Sequence, residues 1–420
     1  MSESRRTRTK LFFLLGSLTL FTPISIDMYL PALPTMSKDL HTGPAEVQLT
    51  LTTFLIGLGI GQLLAGPISD AVGRRKPIRF GIAGYFIASL ICAVVPSVYA
   101  LIALRAIQGF AGAAALVVGR AIVRDLFSGV EAARYFSLLM VITGVGPVLA
   151  PTIGGQLLRI TSWRGVFVVL AGISVLIGAS VLRWLPETLP PERRRSGGLQ
   201  DTRRAFGELL HDRGFVGLCL GCGLAFSTVF AYISGSSFVL QDVYGFTPQQ
   251  FGLIFGVNAL GLVAGTQINR ALALRIPLMN LLTAGLVGAA ASAVAILVVT
   301  VAGGVGRAAI LIPMFTVMVS LGFVLPNATA LALNRHADAA GTASALLGAV
   351  QMGAGGGIAP VVGIAGASAY PMAVAMVVLS TASLGAVRVL ARTAPGARES
   401  VAEDARRDQL VELLSTEAEL

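Results

Sequence analysis

The sequence predicts an all-α membrane protein of twelve transmembrane helices arranged as two six-helix, pseudo-symmetric bundles. Three observations carry that reading. Of the 420 residues 55% are hydrophobic and only 12% charged, with 49 glycines, against about 25% charged in an ordinary soluble domain; mean hydropathy is +0.80. The apolar residues form continuous runs of about 20 or more, the length a helix needs to cross ~30 Å of hydrocarbon. Basic residues gather in alternate connections between the runs. A cytosolic enzyme is excluded, because a soluble chain of this size cannot hide so much apolar surface. A transmembrane β-barrel would show alternating stretches of ~10 residues instead, and three cysteines make no disulfide framework.

The spans of the first half are 11–33, 45–69, 78–95, 99–123, 131–157 and 164–186. Those of the second half are 214–238, 248–270, 278–301, 308–333, 341–365 and 370–391. One set of connections holds Arg5, Arg6, Arg8 and Lys10, then Arg74, Arg75, Lys76 and Arg79, then Arg124 and Arg134. The same set holds Arg193, Arg194, Arg195, Arg203, Arg204 and Arg213, then Arg270, Arg275, Arg335 and the arginines of the tail. The other set has only Lys38, Arg159, Arg164 and Arg307. The positive-inside rule then puts both termini in the cytoplasm. The net charge of +10 is therefore a topology signal, and no nucleic-acid partner is expected. The run after Ser4–Lys10 lacks an A-x-A-like cleavage site and reads as a retained first helix.

The expected organisation is a cytoplasmic N-terminus (1–10), an N-terminal bundle (11–186), a cytoplasmic linker (187–213), a C-terminal bundle (214–391) and a cytoplasmic tail (392–420). An internal repeat supports the cut. Gly144, Gly146, Ala150, Pro151 and Gly154 recur as Gly353, Gly355, Ala359, Pro360 and Gly363, at a constant offset of 209 (144 to 353). Gly66 with Asp70 maps more weakly to Gly265 with Asn269. Two repeated halves suit a transporter that rocks around a site near the midplane.

Ionisable groups within lipid are costly and mark function by default. Asp27 is the acid lying well inside a span, four residues before Pro31. Apolar surroundings favour the neutral form of a carboxylate, so such a group exchanges protons, as coupling to a proton gradient requires. Arg105 is its basic counterpart in span 4, expected either to pair with Asp27 or to hold a backbone carbonyl of a neighbouring helix. Gln108 shares its face. Gly66, Asp70, Gly73, Arg74 and Arg75 form a short basic turn after span 2. There Gly73 permits a sharp bend, and Asp70 is placed to accept a charge-assisted bond, a latch able to open and close. In span 5, Gly146-Pro147, Ala150-Pro151 and Gly154-Gly155 remove backbone donors and let another helix approach closely.

Tyr29, Gln48, Phe230, Tyr232 and Asn258 are candidate cavity-lining residues. Cys219 and Cys222 lie in an apolar span without redox or metal partners, and no metal site is expected. His41, His211 and His336 lie in connections and are expected to be solvated. Gly355–Gly357 is no phosphate loop and no Walker A pattern occurs, so the drive is expected to be a proton gradient with no cofactor.

These motifs resemble the major facilitator superfamily. Residues 66–78 look like its cytoplasmic loop motif, Leu101–Gly109 like its fourth-helix motif, and 144–155 like the proline–glycine motif of proton-driven drug antiporters. Asp27–Pro34, Arg120–Asp125, Glu187–Arg194 and Ala340–Ser344 are similar to the bicyclomycin/chloramphenicol resistance (Bcr/CflA) subfamily. The resemblance covers residues 20–390. It implies a major facilitator fold and a monomeric inner-membrane antiporter that exports small amphipathic drugs in exchange for protons. Export of an endogenous metabolite is the alternative. Asp27 would then bind proton and substrate, Arg105 would couple, and Asp70 with Arg74 would gate. Span 5 reads Gly146-Pro147-Val148-Leu149-Ala150-Pro151 where the family has G-P-x-x-G-G, and Asn269 replaces the acid of the second-half loop.

Overall fold

The computed structural model describes residues 2–127, 129–190, 194, 209–302, 306–336, 340–364, 366 and 368–391. Arg193, Arg195, Arg203, Arg204 and the tail from 392 lie outside the described residues. So do the side chains of Arg5, Arg6, Arg8, Lys10, Arg134 and Thr342. Among the described residues, 12 helices are long and apolar enough to cross a membrane.

Span 1 is longer than the apolar run suggests, Leu11–Asp39. It is built from α1 (Ser2–Asp27), a 3-10 turn (Leu30–Ala32) and α2 (Leu33–Asp39). The break follows from Pro31, which has no N–H to continue the ladder of α1. Asp27 is thus the last residue of a helix rather than part of an unbroken one, yet it is buried. The first bundle continues with α3 (Pro44–Val72), α4 (Arg75–Val94), α5 (Val98–Leu126), α6 (Gly129–Leu157) and α7 (Trp163–Trp184). The second has α8 (Arg213–Phe238), α9 (Pro248–Leu272), α10 (Leu278–Ala302), α11 (Leu311–Asn334), α12 (Ala340–Gly363) and α13 (Ala369–Ala386). Helix starts follow local chemistry. Pro44 opens α3 after Gly43; Thr247 and Gln250 form a capping box on α9, satisfying two otherwise orphan donors.

In the first bundle α5 packs on α3 and α4, α4 on α7, and α1 on α6. The second repeats the pattern, with α11 on α9 and α10, α10 on α13, and α12 on α8. The repeated glycines serve the same contact in both halves. Gly66 faces Val117 across α3 and α5, and Gly265 faces Val319 across α9 and α11.

The halves meet through α6 against α9 and α3 against α12. In lipid, helix association relies on close packing and hydrogen bonds, and small residues at the contact permit both. Between the halves, a Cβ on Gly155 would fall 2.6 Å from the Pro248 carbonyl oxygen, and one on Gly252 2.6 Å from that of Pro151; within the first bundle, one on Gly154 would fall 1.9 Å from that of Met28. Hydrogen bonds follow the same seam: Thr152 to the Gly252 carbonyl (3.1 Å), Gln249 to that of Gly155 (2.8 Å) and Thr52 to that of Gly356 (2.6 Å). Lys38 pairs with Asp242 at 3.2 Å. All these contacts lie toward the end away from the basic connections, so the halves are joined there.

At the basic end the second bundle has its own ion cluster. Asp212 caps α8 through Gly214 N–H (2.8 Å), accepts Arg335 Nε (2.9 Å) and Nη2 (3.1 Å), and lies 3.0 Å from His336 Nε2. His336 also meets the Phe215 ring edge-on. It is therefore half-buried and bonded, not solvated as expected, because the chain entering α8 passes directly beside the end of α11. Burial alone would push the Asp212 carboxyl up. The hydrogen bonds and charge of Arg335, with the Gly214 N–H, outweigh it and hold the group at about 2, below its ordinary 3.8.

Two outcomes follow. Gly154→Ala should lower the melting temperature of the purified protein by overpacking, about 1–3 kcal/mol. Gly172→Ala, where nothing lies within 4 Å of the added Cβ, should leave it equal or slightly raised. A carboxyl depressed on folding stabilises above its unfolded pKa, and that stabilisation is lost as pH falls through the folded one. Asp212→Asn should therefore melt a few degrees below wild type near neutral pH, with the gap closing between about 3.8 and about 2; a constant gap would contradict this.

Candidate functional site

Two buried ionisable groups, Asp27 and Arg105, lie near the end of α1 without touching. The Asp27 side chain is buried at 4% exposure, and among the described residues nothing bonds it or pairs with it. Arg105, with no exposed surface, does not reach it. Of the two partners expected for Arg105, the structure has the backbone carbonyl: Nη2 donates to Ser25 O at 3.2 Å, two residues before Asp27. Nη1 donates to Gln108 Oε1 at 2.5 Å. The guanidinium carbon lies 4.5 Å from the Tyr29 ring centre and 4.2 Å from that of Phe54, with Phe167 at 5.8 Å. Desolvated cation–ring contacts of this kind are worth about 2 kcal/mol or more.

The network continues outward from the arginine. Gln108 Nε2 donates to Ser89 Oγ at 2.6 Å, and Ser89 in turn to the Tyr85 carbonyl at 2.7 Å. The Tyr85 hydroxyl is 2.6 Å from Ser25 Oγ, and the Tyr29 hydroxyl 3.2 Å from Thr50 Oγ1. Thus α1, α3, α4 and α5 are tied together around one buried cation, and the end of α1 that carries Asp27 is held in place.

The second half closes over that helix end. Ser237 donates to the Leu30 carbonyl (2.5 Å) and Gln241 to that of Pro31 (3.1 Å). Gln48 donates to the Ser234 carbonyl (3.0 Å), while its own Oε1 has no partner. The Tyr232 hydroxyl accepts from Asn258 Nδ2 (2.8 Å), and its ring stacks on Phe255 at 5.3 Å. Phe230 packs on Phe226 and against Gly355. Tyr29 turns its ring to Arg105 within the first bundle, whereas Gln48, Tyr232 and Asn258 lie at or beside the seam. Ser237, Gln241, Thr50 and Tyr85 were not distinguishable in the sequence, because single hydroxyls and amides in apolar spans carry no spacing signal. Span 5 supplies close approach: a Cβ on Gly146 would meet Pro23 of α1 at 2.6 Å. Pro147, Ala150 and Pro151 lie on the same helix, with Ala150 buried.

The basic turn after α3 forms a larger polar cluster than the sequence indicated. Gly73 takes φ 96°, a left-handed conformation open to glycine. Arg74 Nη1 donates to Asp70 Oδ1 and to Ser69 Oγ, and Nε to Asp125 Oδ2 at 2.8 Å. The Arg74 and Arg75 N–H groups donate to Glu187, and Thr188 donates to Asp125. Burial works against ionised Glu187, but those two backbone bonds win and hold its carboxyl below the usual range. The corresponding place in the second half is neutral: Asn269 and Asn327 exchange amide hydrogen bonds.

Residues 15–360 match the model of the Major Facilitator Superfamily. The chain is 41% identical over 384 residues to "Uncharacterized MFS-type transporter YdgK" of Bacillus subtilis, covering 91% of this chain and 95% of that protein. It is 31% identical over 353 residues to "Bicyclomycin resistance protein homolog" of Haemophilus influenzae, covering 84% and 88%. The fold is similar to the crystal structure of the nucleoside transporter NupG, with a TM-score of 0.75 at 14% identity over 90% of this chain and 99% of that one. With the family matched across the region that holds the Asp27 site, the turn after α3, nine whole spans and most of two more, the chain belongs to the Major Facilitator Superfamily, a family of transporters and not of enzymes.

Proposed function

We propose that this protein exports small amphipathic drugs of the chloramphenicol or bicyclomycin kind in exchange for protons, by alternating access, as a monomer in the bacterial inner membrane. The observation that carries the proposal is the unpartnered, buried carboxyl of Asp27 at the end of α1, beside the seam where the two bundles join. A carboxyl with no ion pair changes its protonation without breaking one. Both termini and the basic connections face the cytoplasm by the positive-inside rule, so on this reading a cleft between the bundles, opposite the seam, opens to the cytoplasm. Cargo enters there while Asp27 is charged. Opening to the other side requires the Ser237, Gln241 and Gln48 bonds to part; protonation of Asp27 from that side then displaces cargo. One carboxyl means about one proton per cycle, and ~2.3 kcal/mol at ~100 mV sustains a gradient of about 50-fold. Similarity to a bicyclomycin resistance homolog supports the cargo class.

Expressed in an efflux-deficient host, the wild type should raise resistance to chloramphenicol or bicyclomycin. Asp27→Asn at equal expression should abolish it, with drug-linked proton movement in proteoliposomes lost too. Unchanged proton movement in Asp27→Asn would sink the mechanism; a well-expressed wild type without protection would move the cargo to an endogenous metabolite. Arg74 holds four side-chain and linker groups, so Arg74→Ala leaves Asp125 and Asp70 unpaired and should cut drug export about tenfold or more. Asp70→Asn, which keeps the Asp125 pair, should cost less. Equal losses in a drug-accumulation assay would contradict the hub role of Arg74.

A further inference from the structure

The hydrogen bonds between the bundles fix which residues of α8 stand level with the end of α1. Both helices begin at the basic end and run the same way. Ser237 donates to the Leu30 carbonyl and, one turn on, Gln241 to that of Pro31. Asp27 lies three residues before Leu30 and Ser234 three before Ser237, which puts Asp27 about level with Ser234. Tyr232 and Ser236 lie two residues to either side of that level, about 3 Å each way, one turn apart on one face of α8.

These groups are buried, Tyr232 at 2% exposure, Asp27 at 4% and Ser236 with none. Their hydrogen-bonding capacity is only partly used. The Tyr232 hydroxyl accepts from Asn258 Nδ2 at 2.8 Å, which leaves its own proton to give. Ser236 Oγ, beside that hydroxyl, has no hydrogen-bond partner. Asp27 takes no bond or ion pair among the described residues. Buried polar groups are normally satisfied, so spare capacity on both sides of a seam calls for a bond made at another stage of the cycle.

The charge of Asp27 reaches the Tyr232 hydroxyl. Of the two acceptors beside that O–H, an ionised carboxylate binds it about twice as strongly as a neutral hydroxyl does. The other groups around Asp27 are engaged within the first bundle: Arg105 with Ser25 and Gln108, Tyr85 with Ser25, and Tyr29 with Thr50. Cys92 of α4 is a buried free thiol in the same bundle. Helices α6, α7 and α9 carry their ionisable residues only near their ends. Tyr232 is therefore the donor that the second bundle presents to this carboxyl.

Resting on the reading of Asp27 as the proton site, we propose that Tyr232 is its positioning residue on the opposite bundle. Oriented by Asn258, the hydroxyl donates to the Asp27 carboxylate across the seam and withdraws when a proton or cargo occupies that carboxylate. The empty, charged site then has one more bond between the halves than the occupied site, beside those of Ser237 and Gln241. The outer end stays shut until the carboxylate is occupied, which keeps proton movement tied to cargo.

The full-length protein in nanodiscs is titrated from about pH 4 to 10. The protonated Asp27 carboxyl is followed by infrared difference spectroscopy, with Asp27→Asn as the blank. A donor to the charged form favours that form. Tyr232→Phe, which keeps the ring that stacks on Phe255, should therefore raise the titration midpoint by about one pH unit, a tenfold change in proton affinity. Asn258→Leu, which leaves the hydroxyl in place without its tether, should raise it by less, and decides alone if Tyr232→Phe does not fold. A midpoint unmoved or lowered in the folded variants, with a wild-type carboxyl that titrates, overturns the assignment and leaves the proton reading standing. A wild-type band that stays constant over the whole range overturns the proton reading and this assignment with it.

Discussion

A guanidinium with no exposed surface stands at the centre of the first bundle, and the site is arranged around keeping it there. Removing such a cation from water costs several kcal/mol even after relaxation. Arg105 recovers that cost from the Ser25 carbonyl, the Gln108 amide and three aromatic rings. Each partner sits on a different helix or turn, so satisfying one side chain fixes the relative positions of α1, α5 and the residues beside them. Asp27 is placed without contact: its helix end is held while its carboxyl, among the described residues, takes no hydrogen bond or ion pair.

The second constraint is the absence of a hydrophobic driving force between helices in lipid. Close approach must replace it, and the seam between the halves shows how. Gly155 and Gly252 bring backbone to backbone where any Cβ would collide with a carbonyl oxygen. Side chains from one half then donate to carbonyls of the other, at Leu30, Pro31 and Ser234. Such bonds are individually modest, which suits a contact that has to part during a cycle. They also sit beside Asp27, at the end of α1 where the two halves meet.

The halves repeat in fold and differ in charge. The first bundle ties its basic end with Arg74, Asp70, Asp125 and Glu187, whereas the second has a neutral pair, Asn269 with Asn327, and moves its ions to Asp212, Arg335 and His336. Arg74 bonds to groups at the ends of α3 and α5 and, through its backbone N–H, to the chain leaving α7. The Asp212 cluster joins only the start of α8 to the end of α11. The first bundle is thus the more firmly closed unit at its basic end.

Much of this was legible in the sequence. Apolar runs of spanning length, alternating basic connections and the glycine–proline repeat specify twelve helices in two halves, because lipid allows no unsatisfied backbone and therefore leaves each run no alternative to a helix. Asp27, Arg105 and the Asp70–Arg74 turn also stood out, since charge is scarce in such a chain. What the sequence could not decide is which charges meet. Arg105 takes Ser25 and not Asp27; His336 turns to Asp212; Arg74 gathers Asp125 and Glu187 from distant segments. Those outcomes depend on how helices rotate and cross, a property of side-chain packing between segments far apart in the chain. One-dimensional composition determines which segments enter the membrane, and only the tertiary contacts decide which side chains are satisfied by one another and which stay free to act.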